Sequence, residues 1–256
     1  MYALKSEILR YMTYFFDGTK YGFLTAFLAA FSDANARLYC SDGQLALGES
    51  PIFVETNEER AKRAENRFLS FDRDCMRDLD TLLRSGNREK AQIAFAYFRL
   101  LAQIKSPIGK RLAEPAVFAA VECIKKVGFE IHRFHGFIRF IETASGALYS
   151  ACSPDNDIVD LLAKHFRARL PQFPFVLHDV TRKKAAVYDG KTIFVAPLPQ
   201  ANVILSANET EWKTLWQKYY KAVNIPSRER LKQMRGYMPA RYWKFLPELQ
   251  TPPDGI

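Results

Sequence analysis

The chain has 256 residues, 48% hydrophobic and 25% charged, so it can bury a sizeable core and does not have the composition of a disordered protein. Its net charge is +9, but residues 211–244 hold nine Lys and Arg against two acids, a local excess of +7 that leaves +2 elsewhere. The longest apolar run, residues 21–31, is too short to span a membrane, and no N-terminal pattern predicts a signal peptide, so we expect a cytoplasmic protein without a membrane partner.

The first 56 residues predict short strands and one helix. An aromatic strand ends at the turn Asp17-Gly18, and Thr19 is suited to cap a helix that runs through Phe31. Strands are expected at residues 10–16, 44–47 and 51–55.

Helices dominate the next segment. Thr56 and Glu59 have capping-box spacing, and apolar residues then recur every three or four positions, which predicts one long helix as far as Leu82. A second helix is expected at about 88–105. A third is expected at about 115–132, where Pro115 suits the first turn.

The pattern then changes to strands around one helix. The helix is predicted to begin at Ser153-Pro154 and to end before Pro171. Strands are predicted at residues 137–142, 147–152, 175–180, 185–188 and 192–196. This order predicts an α+β fold in which an antiparallel β-sheet has one covering helix, with flanking helical segments.

Four segments follow from these elements, in one or two compact units. They are a strand and helix segment (1–56), a helical segment (57–132), an antiparallel sheet with a helix (133–200) and a basic, Trp-rich helical segment (201–256). In the last, residues 210–223 predict a helix with aromatics on one face and lysines on the other, and Ser227 is suited to cap another helix through Gly236.

No motif predicts a cofactor. Gly-rich phosphate loops and a nucleophile elbow are missing, and the four cysteines, which never have Cys-x-x-Cys spacing, are expected to be reduced and mostly buried. His132 and His135 could share one helical face, but no third ligand lies nearby and Arg133 would repel a dication, so we expect no metal site.

Bases and aromatics alternate near the end of the chain, where Arg and Lys can neutralise phosphates and Tyr or Trp can stack on exposed bases. The candidate nucleic-acid contacts there are Arg235, Arg241, Tyr242, Trp243 and Lys244. Alternatively, Tyr242, Trp243 and Leu246 pack this segment on the core while the cations are merely solvated.

A second candidate contact is the hairpin turn Arg182-Lys183-Lys184, whose three cations can lie on a phosphate backbone or simply keep the turn soluble. Arg139 is a further candidate. It could instead pair with Asp179 on a neighbouring strand.

Residues that could carry acid–base chemistry are few. The weak candidates are His178, Asp179, His132 and Glu130. His178 and Asp179 are adjacent in a predicted strand and therefore point to opposite faces, so they do not form a dyad with each other.

Several segments occur together in the order typical of one bacterial family. They are Tyr14-Phe15-Phe16-Asp17-Gly18, Leu112-Ala113-Glu114-Pro115, Lys126-Val127-Gly128-Phe129-Glu130, Gly136-Phe137-Ile138-Arg139-Phe140, His178-Asp179-Val180, Tyr188-Asp189-Gly190, Trp216 with Tyr219-Tyr220, and Met238-Pro239 with Arg241-Tyr242-Trp243-Lys244 and Leu246-Pro247-Glu248. In this set the chain resembles proteins associated with DNA metabolism and DNA repair, whose core is a domain of unknown function.

The resemblance implies a radical-SAM partner that acts on DNA, and a domain that also occurs fused to uracil-DNA-glycosylase-like domains. It supplies no catalytic residues. The leading hypothesis is a DNA-binding accessory protein. The alternatives are an enzyme on damaged or modified DNA, glycosylase-like or nuclease-like, and a protein-interaction module.

Overall fold

The computed structural model of the protein describes residues 12–40, 51–228 and 230–250. The chain divides into two compact units, Met1–Val127 and Gly128–Ile256. The predicted strand residues 10–11 and 44–47 and the chain after residue 250 lie outside the described residues.

A small parallel sheet belongs to the first unit. Its central strand is β1 (Thr13–Phe16), flanked by β2 (Arg37–Cys40) and β3 (Ile52–Phe53), with Tyr14 opposite Leu38 on one side. All four residues of β1 are buried, as in parallel sheets covered on both faces. The sequence did not predict β2.

Helix α1 (Lys20–Ala30) follows β1 as predicted. The Thr19 hydroxyl caps it by accepting a hydrogen bond from the Gly22 backbone N–H at 2.9 Å. Phe23 and Phe27 on this helix are buried and meet the aromatic core of the unit.

The predicted long helix is wrong, because the chain forms α2 (Glu58–Phe71) and α3 (Cys75–Arg84) instead. Between them Asp72 is extended, and its carboxylate accepts from the Asp74 backbone N–H at 2.9 Å. Such a local bond offers the backbone an alternative to the helix, so the helical pattern is interrupted although the apolar spacing continues.

The predicted capping box at Thr56 and Glu59 is also wrong. The cap is Asn57, whose side-chain oxygen accepts from the Arg60 backbone N–H at 2.9 Å. The Thr56 hydroxyl donates instead to the carboxylate of Asp17 at 2.8 Å.

Two further helices are confirmed. They are α4 (Lys90–Ile104) and α5 (Pro115–Phe137), which begins at the predicted proline but extends beyond His132. Buried aromatic rings fill the core of the first unit, including Phe23, Phe27, Phe68, Phe95 and Phe98. Edge-to-face pairs such as Phe68 with Phe98, whose ring centroids are 4.9 Å apart, are typical of well-packed aromatic cores.

The second unit contains a five-stranded sheet in which neighbouring strands follow chain order. Its strands are β4 (Ile141–Glu142), β5 (Leu148–Cys152), β6 (Phe175–Asp179), β7 (Lys184–Tyr188) and β8 (Ile193–Pro197). The mixed helix and sheet content confirms the predicted α+β class.

One pair departs from the antiparallel prediction, since β5 and β6 are parallel while the other pairs are antiparallel. A parallel pair needs a crossover connection, and α6 (Val159–Arg169) supplies it. Leu162 and Phe166 are buried on this helix, which packs on the sheet and confirms the covering helix.

Ser153 does not cap α6 as predicted. Its hydroxyl is paired with that of Thr181 at 2.6 Å, and the helix begins only at Val159. The loop between β5 and α6 instead donates the backbone N–H groups of Asp155 and Asn156 to Glu130.

The C-terminal part consists of α7 (Glu209–Val223) and α8 (Leu231–Tyr237), with 3-10 helices at Pro226–Arg228, Ala240–Phe245 and Pro247–Leu249. The predicted helix at 210–223 is confirmed. The helix predicted from Ser227 to Gly236 is shorter, because it begins at Leu231.

The four cysteines are buried, as predicted, and among the described residues they form no disulfide. Burial raises the pKa of the Cys75 thiol to about 12. Among the described residues, no helix has both the length and the apolar character needed to cross a bilayer.

Candidate nucleic-acid interface

Helix α7 buries none of its side chains. Acidic Glu209 and Glu211 lie in its first turn and Lys221 in its last, an arrangement that complements the helix dipole. The apolar stripe at helical spacing would normally face a core. Here its members are largely exposed: Trp212 (59%), Leu215 (57%), Trp216 (38%), Tyr219 (56%) and Val223 (54%).

Exposed cations lie on the same helix as this apolar stripe and in the segment that follows it. Six exposed cations form no ion pair with a carboxylate within the described part of the chain. They are Lys213, Lys218, Lys221, Lys232, Arg235 and Lys244. Their charges are therefore available to an anionic ligand. We call α7, α8 and these six cations the basic arm.

The predicted contact Arg241 is different, because its charge is already paired within the second unit. Its guanidinium contacts the carboxylate of Asp155 and lies 3.6 Å from a carboxylate oxygen of Glu130. It also donates to the hydroxyl of Tyr242 at 2.9 Å.

Glu130 organises this region. It is 3% exposed, and its two oxygens accept the hydroxyl of Tyr242 at 2.6 Å, the backbone N–H groups of Asp155 and Asn156 at 2.9 and 2.8 Å, and the Asn156 amide at 2.6 Å. Several hydrogen bonds to one buried carboxylate offset its desolvation. Glu130 thus ties the C-terminal 3-10 helix to the loop before α6.

Tyr242 is 1% exposed and packs on Phe134 with ring centroids 4.7 Å apart. Burial and the hydrogen bond to Glu130 raise the pKa of its phenol well above the usual range, so the hydroxyl stays a donor. Leu246 is buried as well. The alternative in which these aromatic and aliphatic side chains pack the segment on the core is therefore confirmed for Tyr242 and Leu246, whereas its expectation of a merely solvated Arg241 is wrong.

Trp243 is half-buried, and its indole N–H donates to the Met238 carbonyl at 3.0 Å. The guanidinium of Arg235 lies over its ring at 5.9 Å. Lys244 is exposed, with its ammonium 4.9 Å from the ring centroid of Phe245. Arg235 and Lys244 are therefore exposed, whereas exposed Arg241 and buried Tyr242 both belong to the network around Glu130.

In the turn between β6 and β7, two of the three predicted cations are paired. Arg182 pairs with buried Asp179 at 3.0 Å, and Lys184 pairs with Asp157 at 2.5 Å, whereas Lys183 is exposed in a left-handed conformation with φ of 53°. The suggested pair of Asp179 with Arg139 is wrong, since Asp179 binds Arg182 and the N–H groups that follow β6.

Arg139 instead belongs to a network that holds Trp216. Its guanidinium pairs with Glu248 at 2.8 Å and lies over the indole ring at 5.4 Å. The other oxygen of Glu248 accepts the Trp216 indole N–H at 3.0 Å. Sequence reasoning missed this contact, because Arg139 and Glu248 are 109 residues apart and only their place in the family pattern links them.

The candidate acid–base residues are not assembled into one open site. Glu130 and Asp179 are buried in the networks above, and His132 is exposed on α5. His178 is buried, with one ring nitrogen 2.8 Å from the Tyr149 hydroxyl and the other 2.9 Å from the Leu198 carbonyl. The hydrogen-bonding capacity of Glu130, Asp179 and His178 is used within the fold.

His135 does not face a ligand set with His132 but stacks on His165, with ring centroids 3.8 Å apart and an interplanar angle of 9°. Burial, then the neighbouring cationic groups, lowers the pKa of both stacked imidazoles below the ordinary value. Among the described residues, no three His, Cys, Asp or Glu side chains are grouped for a metal ion.

One family model, Domain of unknown function (DUF4130), matches residues 88–248. No curated protein and no solved structure matches the chain. The match spans more than half of the chain, including the whole sheet of the second unit and α7. The chain therefore belongs to the family defined by this domain of unknown function.

Proposed function

We propose that the protein binds DNA through the basic arm and acts as an accessory protein in bacterial DNA repair or DNA metabolism, in the cytoplasm. One observation carries the proposal: α7 exposes both its aromatic stripe and its lysines. Unpaired cations can neutralise phosphates, and exposed aromatic rings can stack on bases.

The distribution of charge supports the same surface. The excess of +7 over residues 211–244 is local, and six of its cations have no carboxylate partner within the described residues. By contrast, Arg139, Arg182, Lys184 and Arg241 are neutralised by carboxylates of the second unit. The proposed contact surface therefore consists of α7, α8 and Lys244. Contacts of DNA with the paired cations remain predictions.

Phosphate neutralisation predicts a measurable salt dependence. We expect Lys218→Gln/Lys221→Gln to weaken single-strand binding at low salt and to reduce the slope of log affinity against log salt by about 1.4, because each lost phosphate contact contributes roughly 0.7. Fluorescence anisotropy of a labelled oligonucleotide, titrated with NaCl, measures both quantities.

The matched control is Lys164→Gln/Arg167→Gln, which removes two exposed cations from α6. It changes the net charge equally, so it should leave both affinity and slope almost unchanged. Equal losses in the two double variants, or an affinity indifferent to salt, would contradict the proposal.

A second candidate function is protein docking, favoured by the exposed aliphatic side chains Leu215, Val223 and Ile225, which contribute little to base stacking. The family resemblance suggests a radical-SAM protein as the partner. Leu215→Ser/Val223→Ser should then abolish co-purification with that protein while DNA binding persists. Unchanged co-purification would exclude this surface.

A further inference from the structure

The second unit has a cleft of about 490 Å³ beneath the first half of α7. One side is formed by β4 and β5, and the other by α7 and the C-terminal 3-10 helices. Its lining is mostly apolar and includes the aromatic residues Tyr149, Trp212, Trp216 and Phe245. Clefts of about 300–1,000 Å³ hold small organic groups.

Two lining side chains are held in place by hydrogen bonds. Trp216 is fixed by Glu248, which is itself paired with Arg139. The Tyr149 hydroxyl is 2.8 Å from a ring nitrogen of His178, whose other nitrogen donates to a carbonyl at 2.9 Å. A site whose rings are held in advance loses little freedom when a flat ligand stacks on them.

Charges of both signs border the cleft. Glu209 lines it with a carboxylate that accepts the Glu142 backbone N–H at 2.8 Å, and lysines of α7 lie beside it. Lys213 lies on its lining, with its ammonium 2.9 Å from the Gln250 side chain, and Lys218 and Lys221 follow on the same exposed helix. A flat, uncharged ring attached to an anionic chain matches this combination of an aromatic lining with the exposed lysines of α7. A nucleobase of a single strand has both parts.

We propose that the cleft takes one unpaired nucleobase of single-stranded DNA, stacked on the indoles of Trp212 and Trp216. This inference rests on the proposed function and specifies its ligand. The basic arm supplies affinity for phosphates, and the cleft makes that affinity depend on the presence of a base. Arg139 and Glu248 act as positioning residues, since they hold Trp216.

The test compares two labelled oligomers of equal length: oligothymidylate, and one in which abasic tetrahydrofuran residues replace the nucleotides. Because their phosphates are equal in number, their salt slopes should agree. The oligomer with bases should bind at least about fivefold more tightly, as expected when one base is stacked. This comparison needs no variant.

Trp212→Leu should then lower the affinity for oligothymidylate to that for the abasic oligomer and leave the abasic affinity unchanged. Trp243→Leu is the matched control, since Trp243 does not line the cleft, and it should preserve the preference. Circular dichroism checks that both variants are folded.

The outcomes separate the two proposals. Equal, salt-dependent binding of both oligomers would overturn the nucleobase cleft while DNA binding by the basic arm stands. Binding of neither oligomer at low salt would overturn both. A preference for bases that Trp212→Leu leaves intact would place base recognition elsewhere and overturn the cleft.

Discussion

Glu130 stabilises the second unit because its buried carboxylate accepts several hydrogen bonds. Its carboxylate is the common acceptor for two backbone N–H groups, one amide and one phenol. A buried donor left without an acceptor costs more than a typical hydrogen bond contributes. Glu130 therefore supports the fold of the second unit.

We expect Glu130→Ala to lower the free energy of unfolding by about 3–5 kcal/mol, because it leaves the Tyr242 hydroxyl, the Asn156 amide and two backbone N–H groups without their acceptor, whereas Arg241 keeps Asp155. Tyr242→Phe removes one of those bonds and should cost about 1–3 kcal/mol. Urea denaturation followed by tryptophan fluorescence measures both, since all three tryptophans lie in the second unit.

Lys164→Ala is the control in the same unit. Its side chain is exposed on α6, so the change should stay within about 0.5 kcal/mol. A loss for Glu130→Ala no larger than that of this control would show that the network adds nothing to stability.

Helices α2 and α7 show that apolar periodicity predicts which residues share a helix face, but neither where the helix ends nor whether that face is buried. The apolar spacing continues through Asp72, yet a side-chain bond from that residue ends the helix. The stripe of α7 is as regular as that of a buried helix, yet none of its residues is buried. In both, interactions other than the repeat decide the outcome.

The N-cap of α2 allows the contribution of one capping hydrogen bond to stability to be measured. Asn57→Ala removes the acceptor of the Arg60 N–H and should lower the free energy of unfolding by about 1 kcal/mol. Asn57→Asp keeps an acceptor at the same place and should restore most of it. Chemical denaturation followed by circular dichroism measures both variants, and an unaffected Asn57→Ala would mean that the cap is unimportant.

Across the whole molecule, the net charge of +9 combines two kinds of cation. Some hold elements together by pairing with carboxylates, as Arg139 does with Glu248 and Arg182 with Asp179. Others, such as Lys218 and Lys221, remain exposed on the basic arm. Only the second kind can contribute freely to a long-range field, so net charge overstates the surface available to DNA.

The stability of the second unit should also depend on pH through His135 and His165. Their pKa values are lowered from 6.5 by burial first, and then by nearby cations including Arg169. The unfolded chain therefore binds more protons below this pH, so the free energy of unfolding falls as the pH decreases from 6.5 toward the lowered values.

Replacing both His135 and His165 with Phe keeps two aromatic rings at these positions but removes the two groups that titrate. Denaturation curves above and below pH 6.5 should show a smaller pH dependence for His135→Phe/His165→Phe than for the wild type. His132→Phe removes one of the charges that lower the pKa of His135 but keeps the stacked pair, so it should change the pH dependence less than the double variant does. An unchanged pH dependence in the double variant would show that the stacked pair is not responsible.

The sequence by itself determined the α+β class, most helices and strands and the concentration of charge near the C-terminus. Those features depend on local sequence: Pro115 began a helix as expected, and β6, β7 and β8 formed where strands were predicted. Caps were less predictable, as Thr56 and Ser153 show, because neighbouring polar groups compete for the same backbone N–H.

Only the tertiary structure decided which charged and aromatic residues are available to a ligand. Tyr242 reaches Glu130 across 112 residues of sequence, and Arg139 reaches Glu248 across 109, so no spacing rule could pair them. Trp216 and Tyr242 look alike in an aromatic, basic segment, but one lines a cleft and the other is buried. The physical reason is that burial and ion pairing depend on neighbours brought together by the whole fold, whereas a sequence pattern records only neighbours along the chain.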